Sequence, residues 1–218
     1  EVFGWVQHQG RLKHLCDTFA QEGYLVVLPD PHRGRHLTDT HIGDFVCHCH
    51  HEELMKEWFP KASPWESLEQ DLERLLAWLA SAGAWGGVGL VSFCWGGWAA
   101  LRALERFPER FQAAVCFSPS FHLEEMCCGG SPGELARKVT RPVLCLTAGT
   151  DLPDAKAGGE LGEVFLRSGG GVYEYPDMGH GWMTRGDLHD HRVVRDVEDG
   201  VQRALDFFAE HLGDRDDD

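Results

Sequence analysis

No stretch of this sequence reaches the roughly 18 uninterrupted apolar residues of a membrane-spanning helix, so none is predicted. No basic-then-apolar leader opens the chain either, and the cytoplasm is the expected compartment. Positive charge is scarce: 20 Lys and Arg stand against 35 Asp and Glu, a net charge of −15. Nucleic acid and anionic membrane surfaces would both be repelled by that balance, so neither is an expected partner. The Cys-x-x-Cys spacing of a zinc site is missing as well. So are an initiator Met and a strand leading into Glu1-Val2-Phe3-Gly4, and the sequence therefore reads as a fragment. There are no internal repeats and no linker.

What is present suits one large domain over residues 1–213, followed by an acidic tail at 214–218. At 43% hydrophobic residues the chain can build a full core. Its eight cysteines are expected as free thiols, because a chain of this size with alternating strand and helix patterns does not need disulfide staples.

Apolar residues Leu12, Leu15, Cys16 and Phe19 lie on one helical face, closed by Gly23. Residues 24–28 read as a strand buried on both faces and ended by Pro29-Asp30-Pro31. Residues 32–60 read as a long loop with a short helix at 52–59. Ser63-Pro64-Trp65-Glu66 predicts a helix start, with Ser63 as cap and Glu66 closing a capping box, before a face of Leu68, Leu72, Leu75, Leu76 and Leu79. Strands are then predicted at 88–93, 111–117, 142–147 and 171–175, with helices at 95–107 and 153–167 and an irregular stretch at 118–133. A closing helix carries Val194, Val197, Val201, Leu205, Phe208 and Leu212 on its buried face. Strands alternating with helices imply an α/β fold, a mostly parallel sheet covered by helices on both faces.

The organising stretch is Leu90 to Ala100, an apolar run that stops at Cys94 and resumes as a helix of small residues. A nucleophile on such a strand-turn-helix is pushed out above the sheet, and the strained turn needs small neighbours. The alternative is a core cysteine, since free cysteines are among the most buried residues. Functional groups gather at the carboxyl ends of strands in sheets of this kind. Those ends hold Asp30, Cys94, Ser118, the turn Ala148-Gly149-Thr150-Asp151, and Gly179-His180-Gly181. Cys94, Asp151 and His180 follow one another on successive strand-to-helix connections, the order nucleophile, acid, histidine. A thiol of pKa ~8.5 needs a base to become a nucleophile at neutral pH, and that base needs a carboxylate to hold its tautomer. Asp154 competes with Asp151 for the acid, because Asp151 also suits a helix cap.

Ser92-Phe93-Cys94-Trp95-Gly96-Gly97, Ala148-Gly149-Thr150-Asp151, His180-Gly181-Trp182-Met183-Thr184-Arg185 and Glu1-Val2-Phe3-Gly4 together resemble the dienelactone hydrolase (carboxymethylenebutenolidase) family, over nearly the whole chain. The resemblance implies an α/β-hydrolase-like three-layer fold, here without its first strand, and a Cys94, Asp151, His180 triad acting on a small ester or lactone with no cofactor. It also implies that Glu1 helps manage the cysteine's proton, and that the backbone N–H groups of Trp95 and Val2 form the oxyanion hole. Arg185, with Arg33 or Arg35, would hold a substrate carboxylate in a two-point fork; as surface charges these arginines would instead be solvated. Trp95 and Trp182, beside the expected nucleophile and base, are placed in the substrate pocket by their positions. A monomer or homodimer is expected. Two departures stand out: Ser92 replaces the family's glycine, and the strand before Glu1 is missing. They motivate a second reading, a ligand-binding relative that has lost turnover.

Cys47-His48-Cys49-His50-His51, with His36 and His41, is the best metal candidate by ligand type. Adjacent residues do not easily converge on one tetrahedral ion, so the expectation is a polar lid and no metal. Cys127-Cys128 is ambiguous between a vicinal dithiol and incidental loop cysteines.

Overall fold

The computed structural model describes residues 11–35, 37, 48–84 and 86–213. Backbone contacts divide the chain into two compact units, one of residues 1–84 with 125–129 and one of 85–124 with 130–218. Among the described residues no helix is long and apolar enough to cross a membrane.

The regular structure among the described residues of the first unit is helical. Helix α1 (Arg11–Gln21) buries Leu12, Leu15 and Phe19. Helix α2 (His48–Ala62) is longer than the short helix expected there, and Pro60 sits in its last turn. Helix α3 (Trp65–Ser81) buries Leu68, Leu76 and Leu79. Its start differs from the expected capping box. Pro64 precedes the helix with no side-chain cap, and Ser63 is buried instead, its hydroxyl 2.6 Å from His32 Nδ1 and 3.3 Å from the Pro31 carbonyl. A hydroxyl committed to a buried imidazole is not available to a helix end.

The expected strand at 24–28 is absent from the described structure. Residues 24–30 are irregular, and Leu25 and Leu28 are exposed. A strand exists only through a partner ladder, and the two prolines that end this run remove donors from one. Asp30 instead accepts the Gly34 N–H in a turn.

Among the described residues the second unit carries four parallel strands in spatial order: β1 (Val88–Phe93), β2 (Phe111–Phe117), β3 (Val143–Ala148) and β4 (Gly171–Tyr175). Between them in the sequence come α4 (Gly96–Arg106), α5 (Leu123–Cys128), of which residues 125–128 count with the first unit, α6 (Pro132–Lys138) and α7 (Glu160–Arg167); α8 (Trp182–Arg185) and α9 (His191–His211) follow β4. The predicted helix at 153–167 is a single tight turn, Pro153–Ala155, and then α7. Gly158 adopts φ +76° between them, and at Gly159 a side chain would collide with the Pro153 carbonyl.

Ser92 and Cys116 are register partners and share one face of the sheet, the face on which α4 lies through Gly96. Phe117 points the other way and meets Gly200 of α9, so helices cover both faces. The buried line of α9 is Val193, Asp196, Gly200, Ala204 and Phe208, rotated from the expected valine face. Gly200 explains the rotation: a Cβ there would stand 3.0 Å from Trp182 and 3.1 Å from Phe117, so helix and sheet approach closely along the small residues. Beneath α4, the buried carboxylate of Glu124 takes both forks of Arg102, at 2.8 and 2.9 Å, and Trp98 Nε1 at 2.7 Å, which ties the chain after β2 to the helix after β1.

Candidate active site

Three strand ends converge. Cys94 follows β1 with φ 56°, a left-handed conformation that costs a non-glycine residue free energy and persists only where its surroundings over-determine it. Here they do. The Cys94 N–H donates to the Phe117 carbonyl at 3.1 Å, and its own carbonyl accepts from Gly97 at 3.0 Å and from Ser120 at 2.8 Å. Ser92, the residue that departs from the family pattern, fits the elbow. A Cβ at Gly96 would lie 3.4 Å from its Cβ, ordinary contact, and its hydroxyl donates to the Val115 carbonyl at 3.4 Å.

The turn after β3 brings the acid. Asp151 is almost fully buried; its Oδ2 accepts the Ala148 N–H at 2.7 Å, and its Oδ1 lies 2.7 Å from His180 Nδ1. A carboxylate only accepts, so Nδ1–H donates, and Nε2 is left for the sulfur. Asp154 stands in the following turn, and the partner of the imidazole is Asp151. The histidine loop is fastened to the acid loop by backbone as well. Gly149 N–H reaches the Tyr175 and Met178 carbonyls at 3.0 and 2.9 Å, and His180 N–H donates to Thr150 Oγ1 at 2.8 Å. A Cβ at Gly149 would sit 2.1 Å from the Pro176 carbonyl oxygen, so only glycine permits the approach. Neither Thr150 nor Gly149 was singled out individually from the sequence, because their work depends on two loops meeting.

His180 hydrogen-bonds Cys94 on one side and Asp151 on the other. Burial alone would lower its pKa; the charge of a Cys94 thiolate, the hydrogen bonds to both neighbours and the Asp151 charge outweigh it and push the imidazole up to about 10. The core thiols behave differently. Cys116 is pushed up to about 12 by burial and Cys145 is raised well above the ordinary range by burial first, then by the nearby Cys116 and Asp151. Cys127, desolvated and beside Cys128, rises to about 11. Cys94 has an imidazole beside it, whereas the rise at Cys116, Cys127 and Cys145 is led by burial.

Glu1 and Val2 lie outside the described residues, as do the side chains of Cys47 to His51 and residues His36 and His41. Among the described residues no cluster of His, Cys, Asp and Glu is arranged to hold a metal. Trp95 begins the approach to α4 directly after Cys94, with its ring buried against Trp98. Trp182 is in the core, its ring 4.5 Å from Tyr175 and 6.2 Å from Phe117, so it supports the histidine loop from beneath. Arg185 Nη2 reaches back to the His180 carbonyl at 3.5 Å and covers Gly181, whose φ of 80° starts α8. Arg33 belongs to the first unit and is ion-paired with Asp71 at 2.6 Å; the Arg35 carbonyl accepts from Trp58 Nε1 at 2.8 Å.

A parallel sheet whose carboxyl edge carries a strained elbow and a histidine–carboxylate pair defines an α/β-hydrolase fold. The sequence matches the dienelactone hydrolase family over residues 1–212, and the chain belongs to that family. It is 24% identical to the hydrolase tropI of Talaromyces stipitatus, over 92% of this chain and 76% of that protein. Among solved structures it resembles the dienelactone hydrolase of Anabaena variabilis (19% identity, 94% of this chain and 81% of that one, TM-score 0.55) and the metagenome-derived lipolytic enzymes LipS and LipT (16% identity, 93% and 89%, TM-score 0.61). At these identities the structural likeness shows the fold.

Proposed function

We propose that this hydrolase cleaves small carboxylic esters or lactones through Cys94, with His180 as the proton carrier and Asp151 holding the imidazole. The observation that carries the reading is that one imidazole faces both the elbow thiol and a buried carboxylate. In the resting state the proton sits on His180 and the charge on Cys94. The thiolate attacks the carbonyl carbon, and the C–O bond breaks as His180 protonates the departing alkoxide. In the second half His180, now neutral, takes a proton from water while the hydroxide attacks the acyl carbon, and the C–S bond breaks to return the thiolate. The Trp95 N–H, on the turn that follows β1, is the proposed oxyanion donor, such a donor being worth ~3 kcal/mol. Arg185 is the proposed candidate for a substrate carboxylate. The residues ask for no metal or organic cofactor to perform this sequence of steps.

The deciding comparison is parent protein against Cys94→Ala on an activated aryl ester and a small carboxylated lactone, with iodoacetamide labelling mapped over all eight cysteines by mass spectrometry. Rapid labelling of Cys94 that abolishes turnover is expected. Turnover by Cys94→Ala as fast as the parent would sink the reading.

A further inference from the structure

The chain after β2 holds Cys94 more closely than an elbow requires. Ser118 repeats the cysteine's left-handed backbone, with φ 44°, and is buried. Pro119 fills the space left by the missing side chain of Gly97. Ser120 then binds the cysteine twice, its N–H donating to the Cys94 carbonyl at 2.8 Å and its Oγ lying 3.7 Å from Sγ, within hydrogen-bond reach of a sulfur. Ser120 as a residue is buried, with 6% exposure. Nothing in the steps above uses it.

We propose that the Ser120 hydroxyl is a second donor to the reacting sulfur beside His180, holding the Cys94 thiolate at rest and receiving it again as it leaves the acyl group. This rests on the reading of Cys94 as the nucleophile. A hydroxyl carries one donor and a thiolate only accepts, so in the charged state the hydrogen turns to sulfur. Hydrogen bonds to ionised groups are roughly twice as strong as neutral ones, and burial strengthens them further. When the C–S bond forms, the charge leaves sulfur for the carbonyl oxygen and this bond weakens. When water adds to the thioester, its proton passes to His180, the C–S bond breaks and the electron pair returns to Sγ. The products are the carboxylic acid and the thiolate–imidazolium pair, and the Ser120 bond is re-made as the charge arrives. A donor that stabilises a thiolate also tempers its attack, so the benefit falls on deacylation. Among the described residues, His180 is a titratable group facing the sulfur, with Asp151 behind it.

The test uses Ser120→Ala, which keeps the backbone N–H that holds the elbow, together with Ser120→Thr and Ser120→Val, which match each other in volume and differ by the hydroxyl. On an ester limited by deacylation, loss of the hydroxyl is expected to lower kcat about tenfold with KM falling in parallel and kcat/KM nearly unchanged, while acyl-Cys94 accumulates in intact-mass spectra. The pH midpoint of Cys94 alkylation is expected to rise by about one unit in Ser120→Ala and Ser120→Val. Ser120→Thr is expected to behave as the parent on both counts. Should Ser120→Ala fail to fold, the Thr and Val pair gives the same comparison. Equal behaviour of the Thr and Val variants, or a loss of kcat/KM without acyl-enzyme accumulation, would reduce Ser120 to packing and overturn the proposal while leaving Cys94 as nucleophile. A parent protein whose Cys94 is neither alkylated selectively nor needed for turnover would overturn the underlying reading, and the proposal with it.

Discussion

Gly97 has no room for a side chain against Pro119: a Cβ there would stand 2.5 Å from the proline Cβ. The proline ring cannot swing aside, and it connects Ser118 to Ser120, which holds the Cys94 carbonyl. Gly97→Ala is therefore expected to cost about 1–3 kcal/mol of stability, as overpacking does. It should also slow Cys94 alkylation, because the displaced turn is the one that seats the elbow. Urea unfolding and labelling rates measured side by side check both; an alanine variant with parental stability would show that helix and turn part more easily than their packing implies.

Asp151 is the carboxylate that faces His180, and Asp154 is not. Asp151→Asn keeps the shape and an acceptor for the Ala148 N–H but removes the charge that holds Nδ1–H in place. Turnover of an activated ester is expected to fall about 10³–10⁴-fold, the scale of losing an orienting carboxylate in a triad. Asp154→Asn is expected to stay within twofold of the parent. Equal losses in the two variants would return the choice of acid to where the sequence leaves it.

His180 titrates near 10 in the folded protein and near 6.5 when unfolded. A histidine whose folded pKa is raised binds its proton more tightly in the native state. Its contribution to stability is therefore complete below pH about 6.5 and is lost as pH climbs through about 10. Urea midpoints followed from pH 6 to 10.5 should fall more steeply in the parent than in His180→Gln. Cys94 supplies the largest of the raising effects, so the imidazole of Cys94→Ala, followed by NMR, should titrate well below that of the parent. An unchanged imidazole pKa in that variant would deny the ion pair.

The parts of the molecule legible in the sequence are those decided by local pattern. Phe111–Phe117 and Gly171–Tyr175 are short apolar runs bounded by turn residues, and both strands stand where the pattern puts them. Strand ends also told which residues would share the sheet's carboxyl edge, and Cys94, Asp151 and His180 meet there. Features set by one segment meeting another were not legible. Hydropathy put the buried face of α9 on its valines, but Gly200 and Ala204 face the sheet because only small residues allow that approach. Residues 118–133 look irregular because α5, six residues long, is too short to show a period, yet this stretch contains Ser120 and Glu124. A hydroxyl beside a thiol leaves no trace in spacing.

Ser63 and Glu66 separate a local rule from a tertiary contact at one helix start. The sequence pattern assigns both to a capping box, in which either loss should cost helix α3 about 1 kcal/mol. In the structure α3 has no side-chain cap, and Ser63 Oγ lies 2.6 Å from His32 Nδ1 in a buried pair. Ser63→Ala removes that partner of a buried imidazole and is expected to destabilise by about 1–3 kcal/mol, the cost of losing a hydrogen bond away from water. Glu66→Ala is expected to stay within about 0.5 kcal/mol, as a surface substitution does. The coupling gives a sharper check. In His32→Ala the serine has already lost its imidazole partner and keeps only the longer contact to the Pro31 carbonyl, so a further Ser63→Ala should cost less than it does alone, whereas a helix cap would cost the same in either background.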